Sequence, residues 1–219
     1  MSTLTTAPLA PLLARLTADA EASTRKLHEE RAKAPAGADK PGPRSSDYRS
    51  FYMQMGQYHL AVSPQTGTLL YMLARTRAAR AVIEFGTSFG ISTLHIAAAL
   101  KDNGGGRLIT TEFEPSKIAQ ARNNLRAANL EEFVEIREGD ALETLARDIR
   151  PIDLVLLDGA KPLYLKVLKL LEPQLRTGAM LVADNADWSP EYLECVRNPA
   201  NGYLSVPFGD DVELSMRLR

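Results

Sequence analysis

The stretch Glu84-Phe85-Gly86-Thr87-Ser88-Phe89-Gly90 decides how this chain folds. It follows a short apolar run, residues 81–85, and it precedes a longer apolar segment, residues 91–100, that has the length of a helix. Glycines let the backbone turn sharply and let a ligand approach it without a Cβ in the way. The stretch is therefore predicted to join a strand to a helix and to form a binding loop.

Strand-like and helix-like segments alternate along the chain from Ser63 onward. Ser63 and Pro64 have the residue types of a helix N-cap and first helical position, so a helix is predicted from there to about Arg75. Further strands are predicted at 107–111, 133–137, 153–157, 179–183, 203–206 and 212–218, and further helices at 115–128, 141–147, 163–171 and 190–196. The pattern predicts an α/β fold, a doubly wound and mostly parallel seven-stranded sheet. The last two strands are close in sequence and predict an antiparallel hairpin at one edge.

The N-terminal part differs in composition from the rest. Residues 7–33 carry apolar side chains at helical spacing, and residues 34–46 are rich in Pro and Gly. We therefore predict an N-terminal helical extension, residues 1–57, with a mobile linker at 34–46, followed by the main domain, residues 58–219. The extension can dock on the main domain, on a partner subunit, or over a ligand.

The overall composition excludes several classes of protein. Lys and Arg (26) nearly balance Asp and Glu (27), so there is no general attraction to nucleic acid or to an anionic membrane. The single cysteine, Cys195, rules out an intrachain disulfide. The N-terminus lacks a basic region before an apolar run, and there is no apolar stretch of membrane-spanning length. A cytoplasmic protein with no membrane partner is expected.

The first strand end has the chemistry to bind an amino acid. Gly86 and Gly90 have the spacing Gly-x-x-x-Gly, which differs from the Gly-x-Gly-x-x-Gly fingerprint of dinucleotide binding. Glu84 precedes the first glycine, where a cationic amino group is favoured over a pyrophosphate. Ser92 follows in the first helical turn, where its hydroxyl and free backbone N–H groups can hold a carboxylate.

Acidic residues at the next two strand ends favour an adenosine. Glu112 follows the second strand and lies 26 residues after Gly86, a position from which an acid commonly accepts both ribose hydroxyls. Asp140 ends the third strand and can accept a hydrogen of the adenine amino group, while the Ala141 N–H can meet a ring nitrogen. Either acid alone is more often a helix cap, but the two at successive strand ends favour a nucleoside site.

The fourth and fifth strand ends predict a metal site with a lysine beside it. Asp158 follows the fourth strand, and Asp184 and Asn185 follow the fifth. Their hard oxygen ligands suit Mg²⁺ or Ca²⁺, and without a cation one of two adjacent acids would have to protonate. Lys161 lies three residues beyond Asp158. Beside a cation its pKa should be lowered, so that it could take a proton from a polarised hydroxyl.

Together these residues resemble the catechol and caffeoyl-coenzyme A O-methyltransferases, a cation-dependent branch of the class I methyltransferases that use S-adenosylmethionine (SAM). The resemblance covers about residues 58–218. The matching pieces are 61–64 with Gly67, 84–90, Glu112, 139–141, 158–161 and 184–185. It implies a Rossmann-like fold, transfer of the SAM methyl group to a hydroxyl of a small catechol-like aromatic, and a homodimer.

The resemblance also assigns roles to residues. The residues implied to bind SAM are Val62, Glu84, Gly86, Thr87, Ser88, Ser92, Glu112, Asp140, Ala141 and Asp158. Asp158, Asp184 and Asn185 are implied to bind Mg²⁺, with Lys161 as the general base and Asp158 as its catalytic neighbour. The metal then holds two adjacent oxygens of the acceptor.

Two residues depart from the family pattern. Ala160 stands where the animal catechol enzymes have a tryptophan, and Pro162 stands where plant and bacterial relatives often have an acid. The acid that binds the acceptor's second hydroxyl in the catechol enzymes has no evident counterpart. The aromatic and Met candidates for the acceptor pocket are Tyr52, Met55, Tyr58, Tyr164, Trp188 and Phe208.

Other functions stay open at the level of sequence. A SAM-dependent methyltransferase could act on a non-catechol acceptor. A nicotinamide-dependent oxidoreductase would share the sheet, although the glycine spacing and the metal set argue against it. A nucleic-acid methyltransferase lacks its Asn/Asp-Pro-Pro-aromatic motif here, and a non-catalytic SAM- or metal-binding protein would not need Lys161.

Overall fold

The protein folds around one seven-stranded sheet with helices on both faces. A computed structural model describes residues 2–33, 48–146, 151–209 and 211–219. The strands are β1 (Ala81–Phe85), β2 (Arg107–Glu112), β3 (Val134–Glu138), β4 (Ile152–Leu157), β5 (Leu175–Ala183), β6 (Tyr203–Phe208) and β7 (Val212–Arg217). The helices are α1 (Leu9–Ala32), α2 (Tyr48–Gln54), α3 (Pro64–Thr76), α4 (Ile91–Asp102), α5 (Pro115–Ala127), α6 (Ala141–Thr144), α7 (Tyr164–Leu171) and α8 (Pro190–Arg197).

The strand order places the predicted site at a switch point. The order is β3-β2-β1-β4-β5-β7-β6, with the first five strands parallel and β7 antiparallel to both β5 and β6. The doubly wound sheet and the antiparallel edge hairpin are therefore confirmed. The chain runs from β1 through β2 to β3 on one side of the sheet, and from β4 through β5 on the other side. A crevice therefore opens between the carboxyl ends of β1 and β4.

Alternating strand residues build a core on each face of the sheet. Ile83, Val155 and Leu181 face α7 and α8. Val82, Leu108 and their neighbours face α3 and α4 on the other side. Because both faces are covered, the central strands are apolar on both sides, and all six residues of β4 are buried. Polar side chains are thereby concentrated in the loops at the strand ends.

Gly86 is needed where the loop after β1 passes the loop after β4. Its φ of +103° is a conformation that L side chains rarely adopt, and a Cβ there would lie 2.7 Å from the Asp158 carbonyl oxygen. The loops after β1 and β4 therefore pass each other in close contact, held by the Asp158 N–H donating to the Phe85 carbonyl at 2.9 Å. This contact places Asp158 directly beside the glycine loop.

Helix α1 docks on the main domain, which is one of the three placements considered from the sequence. Its apolar stripe packs against α4 and α5, and the stripe consists of Leu9, Leu12, Leu13, Leu16 and Ala20. The domain boundary at residue 57 stays a prediction. The predicted linker, residues 34–46, lies outside the described residues. No helix in the described part of the chain is both long and apolar enough to cross a membrane.

Several element bounds differ from those predicted. Helix α6 ends at Thr144, where residue 147 was expected, because the chain turns at Leu145. Strand β5 begins at Leu175 rather than at 179, with a left-handed φ of +79° at Gly178 inside it. Helix α2 was not predicted. The N-cap at Ser63 is confirmed, since its Oγ accepts the Thr66 N–H at 3.0 Å.

Candidate functional site

Three cavities meet at the carboxyl ends of the parallel strands. A narrow cleft lies over β1, β2 and β3 and contains Gly86, Ser88, Glu112, Asp140 and Ala141 among its walls. A small cleft adjoins it and contains Thr87, Ser88 and Ser92. A wide pocket of about 500 Å³ lies over β4 and β5 and contains Lys161, Asp184 and Asn185. Asp158 lines all three cavities, so it stands where they join.

Glu112 is rigidly held at the floor of the narrow cleft. Its Oε2 accepts the Ser88 N–H at 2.9 Å, and its Oε1 accepts the N–H groups of Phe113 at 2.9 Å and Glu114 at 3.1 Å. These bonds tie the end of β2 to the glycine loop. The carboxylate keeps lone pairs for a ligand, since each oxygen can accept more than one hydrogen bond.

Asp140 lies in the narrow cleft but already has protein partners. Its Oδ1 caps α6 by accepting the Leu142 N–H at 2.8 Å. Its Oδ2 accepts from the Tyr48 hydroxyl and the Arg49 guanidinium of α2. The helix-cap alternative considered for this residue is therefore present in the structure, and its contact with an adenine stays a prediction.

Two buried hydroxyls in the narrow cleft have no partner among the described residues. They are Ser88 Oγ and Thr111 Oγ1. An unsatisfied buried hydroxyl costs about 1–3 kcal/mol, so such groups in a cavity indicate a polar ligand. Ser88 also has a left-handed φ of +47°, a strained conformation of the kind found at binding loops.

Glu84 lies beneath the start of α4 and is fully buried. Its two oxygens accept from the hydroxyls of Ser92 and Thr93, both at 2.6 Å. Burial raises the pKa of Glu84 to about 7, although these hydroxyl donors oppose the shift. The predicted pair, Glu84 and Ser92, is thus in direct contact, and Glu84 fixes the Ser92 side chain at the edge of the small cleft.

The raised pKa of Glu84 predicts a dependence of stability on pH. A carboxyl whose pKa is about 7 when folded and near 4.5 when unfolded is protonated more readily in the folded state. Its contribution to the free energy of unfolding therefore falls as pH rises from about 4.5 to 7, by roughly 3 kcal/mol at most. Glu84→Gln should abolish this fall, which urea unfolding at pH 5 and pH 7.5 would measure.

The exposed Glu131 offers the control for this measurement. Glu131→Gln changes the same chemical group at the surface and should leave the pH dependence as in wild type. A Glu84→Gln variant whose unfolding free energy still fell in parallel with wild type would show that Glu84 is ionised at both pH values.

Asp158, Lys161 and Asp184 form a buried charged cluster in the wide pocket. Lys161 Nζ donates to Asp158 Oδ1 at 2.9 Å. Burial and the neighbouring Asp158 raise the pKa of Asp184 to about 8. Two buried carboxyl groups this close disfavour each other's ionisation.

The pKa of Lys161 is shifted in the direction opposite to that expected beside a cation. Burial, the largest single effect, opposes the charge of its ammonium, but Asp158 together with Tyr164, Tyr52 and Asp184 outweighs burial and raises the pKa well above its ordinary range. Asp158 is the largest of these favourable neighbours.

Asn185 is brought beside Asp184, and a further acid joins it. Asn185 has a left-handed φ of +48°, and its Nδ2 donates to Asp211 Oδ2 at 2.7 Å. Asp211 also lines the wide pocket. The described residues contain no group of three or more His, Cys, Asp or Glu side chains that could hold a metal. Asp158 and Asp184 would thus need the amide oxygen of Asn185 and water to complete a coordination shell.

The predicted pocket residues divide into two groups. Tyr52, Met55 and Trp188 do line the wide pocket. The others are placed elsewhere: Tyr58 bonds to Glu30, Tyr164 is buried and donates to the Asp184 carbonyl at 2.8 Å, and Phe208 lies on the edge strand β6. Val62 lines a separate groove beneath α1, outside the three cavities.

Three residues of the site were missed by the sequence analysis. Tyr48 lies on the unpredicted helix α2, and no strong pattern marks that helix. Lys117 lines the narrow cleft from α5, where a lysine ordinarily faces solvent. Asp211 precedes β7, and the pairing of β7 with β5 places it at the carboxyl end of β5, a pairing that the predicted hairpin does not specify.

Comparison with known proteins indicates a methyltransferase. A family model described as a methyltransferase domain matches residues 83–186. The chain is 36% identical to the catechol O-methyltransferase of Niastella koreensis over 136 residues, which are 60% of this chain and 61% of that protein. It is 36% identical to catechol O-methyltransferase B of Danio rerio over 166 residues, 72% of this chain and 62% of that protein.

A solved structure agrees with these relatives. The O-methyltransferase TomG from Streptomyces achromogenes, involved in tomaymycin synthesis and crystallised with SAM, superposes with a TM-score of 0.63 at 29% identity. The match covers 73% of this chain and 82% of that chain. The present chain spans about three fifths of the length of the two curated relatives.

Proposed function

We propose that this chain is an O-methyltransferase, like the proteins it is similar to, and that it transfers the methyl group of SAM to a hydroxyl of a small catechol-like aromatic with the help of a divalent cation. The observation that carries the proposal is the position of Asp158. It borders the narrow cleft, the small cleft and the wide pocket together. A cofactor in the first two cavities and an acceptor in the third would therefore meet beside Asp158, the charged side chain common to all three.

The narrow and small clefts suit the two ends of SAM. Glu112 would accept the ribose hydroxyls, and the unpartnered hydroxyls of Ser88 and Thr111 offer further polar contacts. The methionine end would lie in the small cleft, with Ser92 toward its carboxylate and Glu84 beneath. SAM supplies a methyl group that its sulfonium already makes reactive.

The wide pocket suits a hard divalent cation. The buried carboxyl groups of Asp158 and Asp184 disfavour each other's ionisation, so a cation beside them would be favourable. Asn185 uses its Nδ2 toward Asp211, which leaves its Oδ1 as the ligand atom. These are the oxygen donors that Mg²⁺ prefers. When bound there, the cation would neutralise the acids and polarise two adjacent acceptor oxygens.

Lys161 would be the group that removes the acceptor proton. Its ammonium forms an ion pair with Asp158, and the groups around it favour its protonated form. A cation held by Asp158 and Asp184 would weaken that stabilisation and lower the pKa of Lys161. Lys161 would then accept the hydroxyl proton of the acceptor as its oxygen forms a bond to the SAM methyl carbon and the bond from that carbon to the sulfur breaks.

The walls of the wide pocket favour an aromatic acceptor. Tyr52 and Trp188 offer ring surfaces, and Leu60 and Met55 are apolar. Asp211 lies beside Asn185 and is a candidate for the acid that accepts from a second hydroxyl, which the sequence left unplaced. A vicinal diol on an aromatic ring would use both this acid and the cation.

The test is methyl transfer from labelled SAM to a panel of vicinal diphenols and their matched monomethyl ethers. Turnover of the diphenols alone supports the proposal. Equal turnover of compounds with a single hydroxyl would favour a non-catechol acceptor. SAM binding without any turnover would contradict the aromatic acceptor, and absence of SAM binding would contradict the cofactor.

A homodimer is part of the proposal. Its support is the row of exposed apolar side chains on edge strand β6, namely Leu204, Val206 and Phe208, since exposed apolar patches commonly mark interfaces. The mass in solution by light scattering decides between a monomer and a dimer.

A further inference from the structure

Lys117 is buried in the wall of the narrow cleft. It is the third residue of α5, so its side chain is directed back toward the start of the helix and the glycine loop. Only 4% of its surface is exposed. Lysines are almost never buried to this extent unless they are paired, so the position of Lys117 calls for a partner.

The ammonium of Lys117 has no hydrogen-bond acceptor among the residues that the structure describes. Its Nζ lies 5.7 Å from the centre of the Phe89 ring, a weak cation–π contact. Burial lowers the pKa of Lys117, opposed by the charges of Glu112, Glu114 and Asp158. The lysine thus stands in an acidic cleft with three N–H donors left for a ligand.

The surroundings of Lys117 are fixed rather than adaptable. The Phe89 ring stacks on His59 with centroids 3.9 Å apart, and the Phe89 carbonyl accepts from Asn124 Nδ2 at 2.9 Å. Glu114 accepts the Lys117 N–H at 2.8 Å as the cap of α5. Because both the ring and the helix start are anchored, the ammonium is held at the cleft.

Glu112 and Lys117 complement each other chemically. The Glu112 carboxylate only accepts hydrogen bonds, whereas the Lys117 ammonium only donates them. A hydroxyl needs one partner of each kind, because it carries one hydrogen and two lone pairs. A pair of vicinal hydroxyls lying against Glu112 would therefore find the missing donor in Lys117.

We propose that Lys117 binds the cofactor ribose, donating to an oxygen of the sugar whose hydroxyl hydrogens are accepted by Glu112. This inference rests on the proposed function, since it requires a nucleoside in the narrow cleft. It makes Lys117 a cofactor-binding residue contributed by α5, in addition to those at the strand ends.

The experiment measures binding of S-adenosylhomocysteine (SAH) and its 2′-deoxy and 3′-deoxy analogues by calorimetry. SAH is the probe because its sulfur is uncharged, so that repulsion between Lys117 and a sulfonium does not enter. The proteins are wild type, Lys117→Met, and Lys101→Met as a control that removes an exposed lysine of α4. Lys117→Met keeps the length of the side chain and removes its charge and donors.

The expected result is a loss of roughly tenfold to a hundredfold in SAH affinity in Lys117→Met, as for a hydrogen bond to a charged group. The penalty for deleting one of the two ribose hydroxyls should also shrink by about tenfold relative to wild type, because the coupling between that hydroxyl and Lys117 is gone. Lys101→Met should match wild type with every analogue.

Two results would overturn the inference. One is an SAH affinity in Lys117→Met equal to that of wild type. The other is a weakened affinity with unchanged penalties for both deleted hydroxyls, which would mean that Lys117 only balances the acidic charge of the cleft. Should Lys117→Met not fold, Lys117→Leu gives the same comparison, because leucine also lacks the charge and the donors. A wild-type protein that binds no SAH would instead refute the cofactor assignment itself.

Discussion

Asp184→Asn should lower kcat/KM for a vicinal diphenol by about a thousandfold while leaving SAH affinity unchanged. Metal-assisted polarisation commonly contributes several kcal/mol to a transition state, and each 1.4 kcal/mol corresponds to a factor of about ten. Asp184 lines the wide pocket alone among the three cavities, whereas Asp158 lines all of them. The Asp184 variant therefore tests metal binding without changing the walls of the cofactor clefts.

The measurement pairs steady-state kinetics with calorimetry of Mg²⁺ and SAH. Asp187→Asn is the matched control, because it removes an exposed acid three residues along the chain. It should retain both turnover and Mg²⁺ affinity. An Asp184→Asn protein with wild-type turnover would mean that the cation, if one is used, binds elsewhere.

Lys161→Met should lower kcat by roughly a hundredfold to ten-thousandfold, the range for loss of a general base. The affinities for SAH and Mg²⁺ should change little, since the lysine is not a ligand of either in the proposed site. The residual kcat of Lys161→Met should rise with pH until the acceptor hydroxyl ionises in solution without a general base. A pH profile of kcat would record this rise. This rise separates a lost base from a damaged fold.

Lys166→Met is the control for Lys161→Met. It removes an exposed lysine from α7, the helix that follows the site, and should leave kcat and its pH profile unchanged. A Lys161→Met variant within a few fold of wild type at neutral pH would exclude Lys161 as the base. The acceptor would then lose its proton to water or to another group.

The parts of the site that follow strand ends were predictable because the sheet is parallel. Residues after successive parallel strands meet at one edge, so Glu112, Asp158 and Asp184 could be grouped from sequence spacing alone. The hydrogen-bond partners of these residues could not be predicted in the same way. That Glu84 would bind the Ser92 hydroxyl depends on the turn between β1 and α4, which only the structure defines.

Residues contributed from outside the strand ends were missed for physical reasons. Lys117 has the residue type of a solvated helix position, and its burial depends on how α5 packs against the glycine loop. Asp211 lies in a turn whose neighbour is set by the order of β5 and β7, which the sequence does not state. Tyr48 reaches Asp140 from α2, a helix too short to give a clear periodic pattern.

The central claim is that Asp158, Asp184 and Asn185 bind a divalent cation beside the cofactor. Anomalous diffraction from crystals grown with Mn²⁺ and SAH tests it most directly. We expect one strong manganese peak among the side-chain oxygens of these three residues, with SAH in the narrow and small clefts. SAH bound in those clefts with no peak at the three residues, or with a manganese peak elsewhere only, would contradict it.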